Sequence, residues 1–559
     1  MADLIKSVIS LIVALITMLF NLIMPKPPEN NPIEDIANLG DICMDFELGD
    51  KLYVIDASTF ATQDERHLAV SIQGVVAKTS PMIFINHNEI CNEYLQMISE
   101  SGVELITADS NGERWTVASL INEFKSYITD SGYVLYRESS KAEGLNAATN
   151  LASVYGWLPV PETLEHIATE AGLVLKEDYS DDEYNVHFQE RLFNQYKDHF
   201  SKKAVISLKY SASGLRDLAI QQKFFLFFIN EDVDGNGFRE RVIEFADRNA
   251  PVLGWAKYEI PFVECASKRG NFVIPSDHCH NSSYLASFKY EIPEQTHSET
   301  ELHTDPTKHY VAIVFSDGDN IQWIQNGFAE YYQKLALTEQ FPMTWSFPPL
   351  MQEFSPLTAN VIYGDATEDD YFISGVSGAG YMHPTEYPEE YLNEYAALTA
   401  SAMEKSGLNY VSILDATPDN VFEERELTNR ISYYASYDNI YGGILSLDPD
   451  RYEGGKGAVW FVNDKPFVSY RLSLWHPSGR NAVTDQWLNE QAAIVNSYPA
   501  DITSINGYTV INVHPWSINI DRLAYFVKAL DDDVELVTVD ELLLMMETNI
   551  PHENAKPDR

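Results

Sequence analysis

From Tyr310 to the C-terminus, short apolar runs alternate with longer amphipathic stretches. Eight runs have the length and apolar content of buried strands: Tyr310–Phe315, Met343–Phe347, Tyr371–Val376, Asn409–Leu414, Asn439–Leu445, Phe467–Leu472, Tyr508–Val513 and Val534–Thr538. Helix-like stretches fill several of the gaps, as in Glu389–Lys405, Asp485–Asn496 and Asp521–Leu530. Strands joined by amphipathic helices pair in parallel, because a crossover over one face returns the chain in the same direction. Eight such units in about 240 residues match the size of a (β/α)8 barrel. The expected fold class is α/β, with a C-terminal (β/α)8-like barrel of TIM type, regular or distorted, preceded by small α/β domains. A doubly wound sheet is the alternative, since some connections are irregular.

The N-terminal half carries the same alternation in shorter pieces. LYVIDA (Leu52–Ala57) and MIFIN (Met82–Asn86) read as strands, each followed by a helix, at Asp64–Lys78 and Asn88–Ser101. YVLYR (Tyr133–Arg137) precedes a helix at Gly144–Tyr155, and FFLFFI (Phe224–Ile229) one at Arg239–Ala250. The chain of 559 residues is too long for one core. The expected division is 42–112, 113–185 and 186–300 for three small α/β segments and 305–549 for the barrel-like domain. None of the N-terminal strands runs into a glycine-rich phosphate loop, which removes the main signal for nucleotide binding.

Residues 1–31 read as an address and linker. Ser7–Met24 holds no charge over 18 residues, enough to cross a hydrocarbon core of about 30 Å at about 1.5 Å per residue. Lys6 precedes it, and a proline- and asparagine-rich stretch follows without a clear cleavage site. An uncleaved signal-anchor is expected, with a cleaved signal peptide as the alternative. The basic side stays in the cytoplasm, which places the bulk of the chain on the extracellular face of the membrane or, after cleavage, in the medium.

Charge narrows the partners. The net charge of −45 repels phosphate backbones and argues against nucleic acid. Four cysteines, Cys43, Cys91, Cys265 and Cys279, form no CxxC pair, so free thiols and three disulfide connectivities stay open. The run Asp277-His278-Cys279-His280 is a poor chelate, since neighbours on a strand point to opposite faces. Asp232-Val233-Asp234-Gly235-Asn236-Gly237 starts like a calcium loop, but the twelfth position is Ile243 or, in the other frame, Arg241. No metal site is expected.

Polar residues gather where the predicted C-terminal strands end, which is where barrel enzymes place their chemistry. The first strand runs into Ser316-Asp317-Gly318-Asp319-Asn320. The second contains Trp345 and is followed by Glu353. The third leads to Tyr381, His383 and Glu386. The fourth ends at Asp415, the sixth at Trp475-His476 and the seventh at His514-Pro515-Trp516. Glycoside hydrolysis calls for this mixture: one carboxylic acid protonates the leaving oxygen, a second carboxylate attacks or activates water, and aromatic faces pack on the sugar. Asp317, Asp319, Asp415 and Glu386 are the candidate catalytic groups. Asn320, Trp345, Glu353, Tyr381, His383, Trp475, His476, His514 and Trp516 are the candidate substrate contacts.

The same segments carry a family likeness. GAGYMHP at Gly378–Pro384 resembles the signature of the GxGYxYP family of glycoside hydrolases, and VFSDGDN (Val314–Asn320) and INVHPW (Ile511–Trp516) are similar to its C-terminal domain. LAVSIQGVV (Leu68–Val76), VLGWAKYE (Val252–Glu259) and Asn281-Ser282 resemble its N-terminal segments. The resemblance implies three small α/β segments, a barrel-like C-terminal domain and sugar-hydrolysing activity. His383 stands where the signature has its second tyrosine.

The function expected is hydrolysis of an extracellular oligo- or polysaccharide by carboxylate acid–base catalysis, with no cofactor. One alternative is a surface glycan-binding protein without chemistry. The other is a metal-dependent polysaccharide deacetylase, which needs a histidine pair where the stretch from Asp317 to Asp415 has only His383. Because Ser7–Met24 has no polar face to pack against a folded domain, deleting Met1–Asn31 is expected to leave a folded protein with unchanged Tm in a thermal melt.

Overall fold

A computed structural model describes residues 32–33, 41–137, 143–182, 185–209, 212–229, 237–289, 292, 295, 304–328, 335, 340–415, 424–449 and 451–558. The apolar N-terminal segment and most of the calcium-like loop lie outside them. Among the described residues no helix is long and apolar enough to cross a membrane. All four cysteines are free thiols.

Three small parallel sheets come first. β1 (Lys51–Asp56), β2 (Ile83–Asn86) and β3 (Glu104–Ile106) pair in the order β2-β1-β3. β4 (Gly132–Tyr136), β5 (Leu158–Pro161) and β6 (Val174–Asp178) pair as β5-β4-β6. β7 (Ser201–Ser207), β8 (Phe224–Phe227), β9 (Pro251–Gly254) and β10 (Phe272–Ile274) pair as β10-β9-β7-β8. The helix Gln63–Ala77 starts at a capping box between Thr62 and Glu65 and packs closely on the helix Arg216–Gln222, where a β-carbon at Gly74 would come within 2.9 Å of Asp217 Cα. Asn281 ties the third sheet to the first: its Oδ1 accepts from the Ile85 N–H at 2.8 Å and its Nδ2 donates to the Ile85 carbonyl at 2.9 Å.

The C-terminal strands are β11 (His309–Phe315), β12 (Met343–Phe347), β13 (Asp370–Ser374), β14 (Tyr410–Asp415), β15 (Gly442–Leu447), β16 (Val459–Val462), β17 (Lys465–Ser469), β18 (Leu472–Leu474), β19 (Tyr508–Val513) and β20 (Val534–Val537). Every residue of β11, β12, β14, β15 and β19 is buried, as expected of strands covered on both faces.

The pairing departs from the eight-unit expectation. The strands divide into two sheets, β13-β12-β11-β19-β18 with β20 on β11, and β14-β15-β17-β16. In a regular (β/α)8 barrel the last strand would separate β19 from β11. Here β19 pairs directly with β11 from Tyr310 to Phe315. β20 takes the first half of the opposite edge, opposite His309–Ala312, and β12 the second half, opposite Val314 and Phe315. The predicted run Phe467–Leu472 is broken between β17 and β18, so one stretch of chain serves both sheets. On their other sides the sheets meet at a parallel bridge between Val376 and Ser412, with the Ser377 N–H donating to the Ser412 carbonyl at 2.7 Å. Every strand but β16 therefore runs in one sense, and their C-terminal ends share one face. β16 was not expected from the sequence; it forms an antiparallel hairpin with β17 through Asn463 and Asp464, both left-handed, the backbone that a tight two-residue turn requires.

The motif at Gly378–Pro384 joins the third sheet to this assembly. Tyr381 forms an antiparallel bridge with Val273 of β10, each N–H donating to the other's carbonyl at 2.8 Å. The glycines make the approach feasible. Gly378 has φ +96°, and a β-carbon on it would lie 2.5 Å from Thr399 Cγ2. One on Gly380 would lie 2.4 Å from the ring of Phe272, itself fully buried. Gly380→Ala is expected to destabilise the protein by about 1–3 kcal/mol through overpacking, seen as a lower urea midpoint with unchanged slope.

Candidate active site

The loop after β11 is built around a glycine. The Gly318 N–H donates to Ser346 Oγ at 2.8 Å, and a β-carbon there would lie 2.0 Å from the Ser346 carbonyl oxygen. Strand geometry ends at Phe315, and Asp317 takes the left-handed conformation at φ 64°. The two aspartates therefore do not continue a strand, and the turn itself sets their directions. Asp319 is buried and Asp317 partly so. Enclosure raises the Asp317 carboxyl to about 6, offset in part by a hydrogen bond from Ser316 Oγ at 2.9 Å and reinforced by the charge of Glu259. Enclosure and the nearby Asp317 push Asp319 further up, as expected when like charges share a low-dielectric space.

A second pair stands on the neighbouring loops. Asp415 is buried at the end of β14, where enclosure raises it to about 7 although Thr385 Oγ1 donates to its Oδ1 at 2.8 Å. Glu386 is also raised, by burial, and its Oε1 lies 3.5 Å from Lys268 Nζ. Asp448, after β15, donates its N–H to the Asp415 carbonyl at 3.4 Å.

An aromatic wall stands beside the carboxylates. Trp475 stacks on His514 at 3.8 Å between centroids and 4° between planes, and Tyr452 meets Trp475 edge-on at 5.4 Å. His514 Nδ1 lies 2.9 Å from Ser517 Oγ, and burial lowers its imidazole to about 4, so it is neutral at pH 7. Trp516 is 47% exposed and meets Trp323 edge-on at 5.4 Å, forming a rim.

The other expected contacts have protein partners of their own or are buried. Trp345 is fully buried within β12, with its Nε1 donating to Asp370 Oδ1 at 2.7 Å. Glu353 accepts from the N–H groups of Ile42 and Cys43 at 2.9 and 2.7 Å, clamping an N-terminal stretch. Asn320 caps the short helix Ile321–Trp323. His476 accepts from the Ser478 N–H and meets Trp487 edge-on at 5.2 Å, turned toward the helix Asp485–Asn496. His383 is 1% exposed, and Tyr381 is buried with its hydroxyl donating to Glu259 Oε1 at 3.0 Å. Neither ring is an open sugar platform.

Glu259, Asp448 and Tyr452 are not among the residues expected from the sequence. The signal was present in two of them: Glu259 closes the VLGWAKYE run after β9, and Asp448 follows β15, whose end lies two residues beyond the predicted Leu445. Among the described residues no group of three or more histidine, cysteine or acidic side chains is placed to hold a metal ion.

Models of the GxGYxYP family match the chain over three stretches: its second N-terminal domain at 131–200, its third domain at 202–287, and the "GxGYxYP putative glycoside hydrolase C-terminal domain" at 307–547. The crystal structure of a putative hydrolase from Bacteroides thetaiotaomicron VPI-5482 is similar, with a TM-score of 0.79 at 25% sequence identity, over 91% of this chain and 99% of that one. No curated protein matches the chain.

A carboxyl raised in the folded state binds protons on folding, so its contribution to stability is full below the unfolded value near 4 and is lost as pH rises through the folded one. For Asp415 that window runs from about 4 to about 7. Asp415→Asn is expected to flatten the fall of Tm across this window relative to wild type, as measured by thermal melts from pH 4 to 8.

Proposed function

The chain belongs to the GxGYxYP family, and from that premise we propose that it hydrolyses glycosidic bonds of an oligo- or polysaccharide outside the membrane. The observation that carries this reading is a set of enclosed carboxylates and an aromatic wall at one end of the parallel strands. The strands of both sheets act together as a distorted barrel whose C-terminal mouth is the active site. The exposed Trp516 offers a flat apolar face to a sugar ring at the rim.

Acid–base cleavage of an acetal needs one carboxyl that keeps its proton and one that is ionised. Asp317, at about 6, is largely ionised at pH 7. It supplies the anion, either attacking the anomeric carbon or taking a proton from the water that does. Burial and the neighbouring Asp317 raise Asp319 well above the ordinary carboxylate range, which favours its neutral form, and in that form it can donate a hydrogen bond within the pair. The stacked Trp475 and neutral His514 present apolar surface without adding positive charge. Location outside the membrane follows from the apolar Ser7–Met24 segment with its basic N-terminal side.

The test is a panel of aryl glycosides and polysaccharides, with and without chelator. Wild type is expected to cleave at least one glycoside, unaffected by chelation. Asp317→Asn is expected to keep its Tm and lose ~10²–10⁴ in turnover. Release of acetate that chelator abolishes would favour the deacetylase. Binding without cleavage, lost in Trp516→Ala, would favour the glycan-binding protein.

A further inference from the structure

Glu259 is the carboxylate that the C-terminal strands do not supply. It begins the helix Glu259–Ser267, just past β9 of the third sheet. The backbone bridge between Val273 and Tyr381 fixes that sheet against the motif loop, and the Tyr381 hydroxyl donates to Glu259 Oε1 at 3.0 Å. Glu259 is an exposed residue, and its carboxylate turns to the Tyr381 hydroxyl. In its ionised form it raises Asp317, Asp319 and Tyr452, which places it beside the loop after β11. Asp415 and Glu386 exert no comparable influence on Asp317.

We propose that Glu259 is a catalytic residue of this site, the proton donor that works opposite Asp317, and that the GxGYxYP motif exists to hold this carboxylate over the mouth of the C-terminal strands. The inference rests on the glycoside-hydrolase reading above. With Oε1 held by Tyr381, Oε2 carries the proton. The Oε2–H bond breaks and its proton goes to the glycosidic oxygen. The electron pair of the anomeric carbon–oxygen bond leaves with that oxygen. Asp317 then bonds to the anomeric carbon, or removes a proton from the water that bonds there. Glu259 is left as a carboxylate facing the Tyr381 hydroxyl. In the first case it takes a proton from the water whose oxygen displaces Asp317 from the anomeric carbon, and in the second it regains through solvent the proton that Asp317 has taken. Enclosure and the charge of Asp448 hold the Glu259 carboxyl above its ordinary range, against the hydrogen bond from Tyr381, as a proton donor near neutral pH requires. The groups facing it are Tyr381 from the motif loop, Asp448 and Tyr452 from the stretch after β15, and Asp317 and Asp319 from the loop after β11.

Leaving-group dependence tests this assignment. On an alkyl glycoside, whose leaving oxygen needs protonation, Glu259→Gln is expected to lose ~10²–10⁴ in kcat. On the matching dinitrophenyl glycoside, whose leaving group departs without a proton, the loss is expected to stay within about tenfold. Asp317→Asn should lose rate on both. Equal losses by Glu259→Gln on both substrates, or none on either, would overturn the proposal. If wild type cleaves no glycoside, the hydrolase reading fails first, and the placement of Glu259 is judged by stability alone. Removing its charge beside the two aspartates should make Tm fall less between pH 5 and 8 than in wild type. An unchanged slope would show that Glu259 is not coupled to the pair.

Discussion

Two backbone hydrogen bonds between Val273 and Tyr381 are the constraint on which the site depends. They join an edge strand of the third sheet to a loop of the C-terminal assembly. A strand edge and a loop can approach this closely only where side chains stand aside. The glycines at 378 and 380 meet that requirement in two ways, one by a left-handed backbone and one by leaving room for the Phe272 ring. Everything distal to the joint is registered by it: Tyr381 is positioned by the bridge, Glu259 by Tyr381, and the field at Asp317 in part by Glu259. The signature residues of the family thus act here as a hinge pin between two parts of the molecule. His383 fits that picture, since it is buried and its backbone N–H donates to Ser267 Oγ, on the helix that Glu259 begins.

The electrostatics run against the bulk charge. A chain of net charge −45 gains nothing by burying more acids together, and enclosed like charges raise one another's pKa. Asp317 and Asp319 are nonetheless both raised by burial, with the charge of Glu259 adding to the shift. Such groups cost stability, which is tolerated where protons must be held or released near neutral pH.

The α/β character and the parallel sheets were legible because apolar runs and helical periodicity are local properties of the chain. Pairing was not, since it is a global property. Nothing in the run Val534–Thr538 says that it joins β11 on the side away from β19. The break of the Phe467–Leu472 run sits at Tyr470-Arg471, where the chain leaves one sheet for the other. For the site, position at a strand end singles out Asp317, Asp319 and Asp415, but it does not tell which way a side chain points. Trp345 lies inside β12 and is sealed in the core. Glu353 lies beyond its strand and turns to the N-terminal stretch. Glu259 escaped because its chemistry depends on a contact between segments far apart in sequence.

The position of β11 also fixes the order in which the molecule can be made. Tyr310 has Tyr508 as its partner on one edge, and Val311 has Leu536 on the other. A chain emerging from the ribosome therefore presents β11 as an apolar strand lacking its principal neighbours until nearly all of the remaining sequence has been synthesised. The closing contacts come later still, when Ala555 bridges Val459 at the edge of β16. Long-range parallel pairing of this kind is slow and leaves strand edges exposed. Late closure of β11 also means that the carboxylates, which stand on segments far apart in the sequence, come together only once the C-terminal strands are in place.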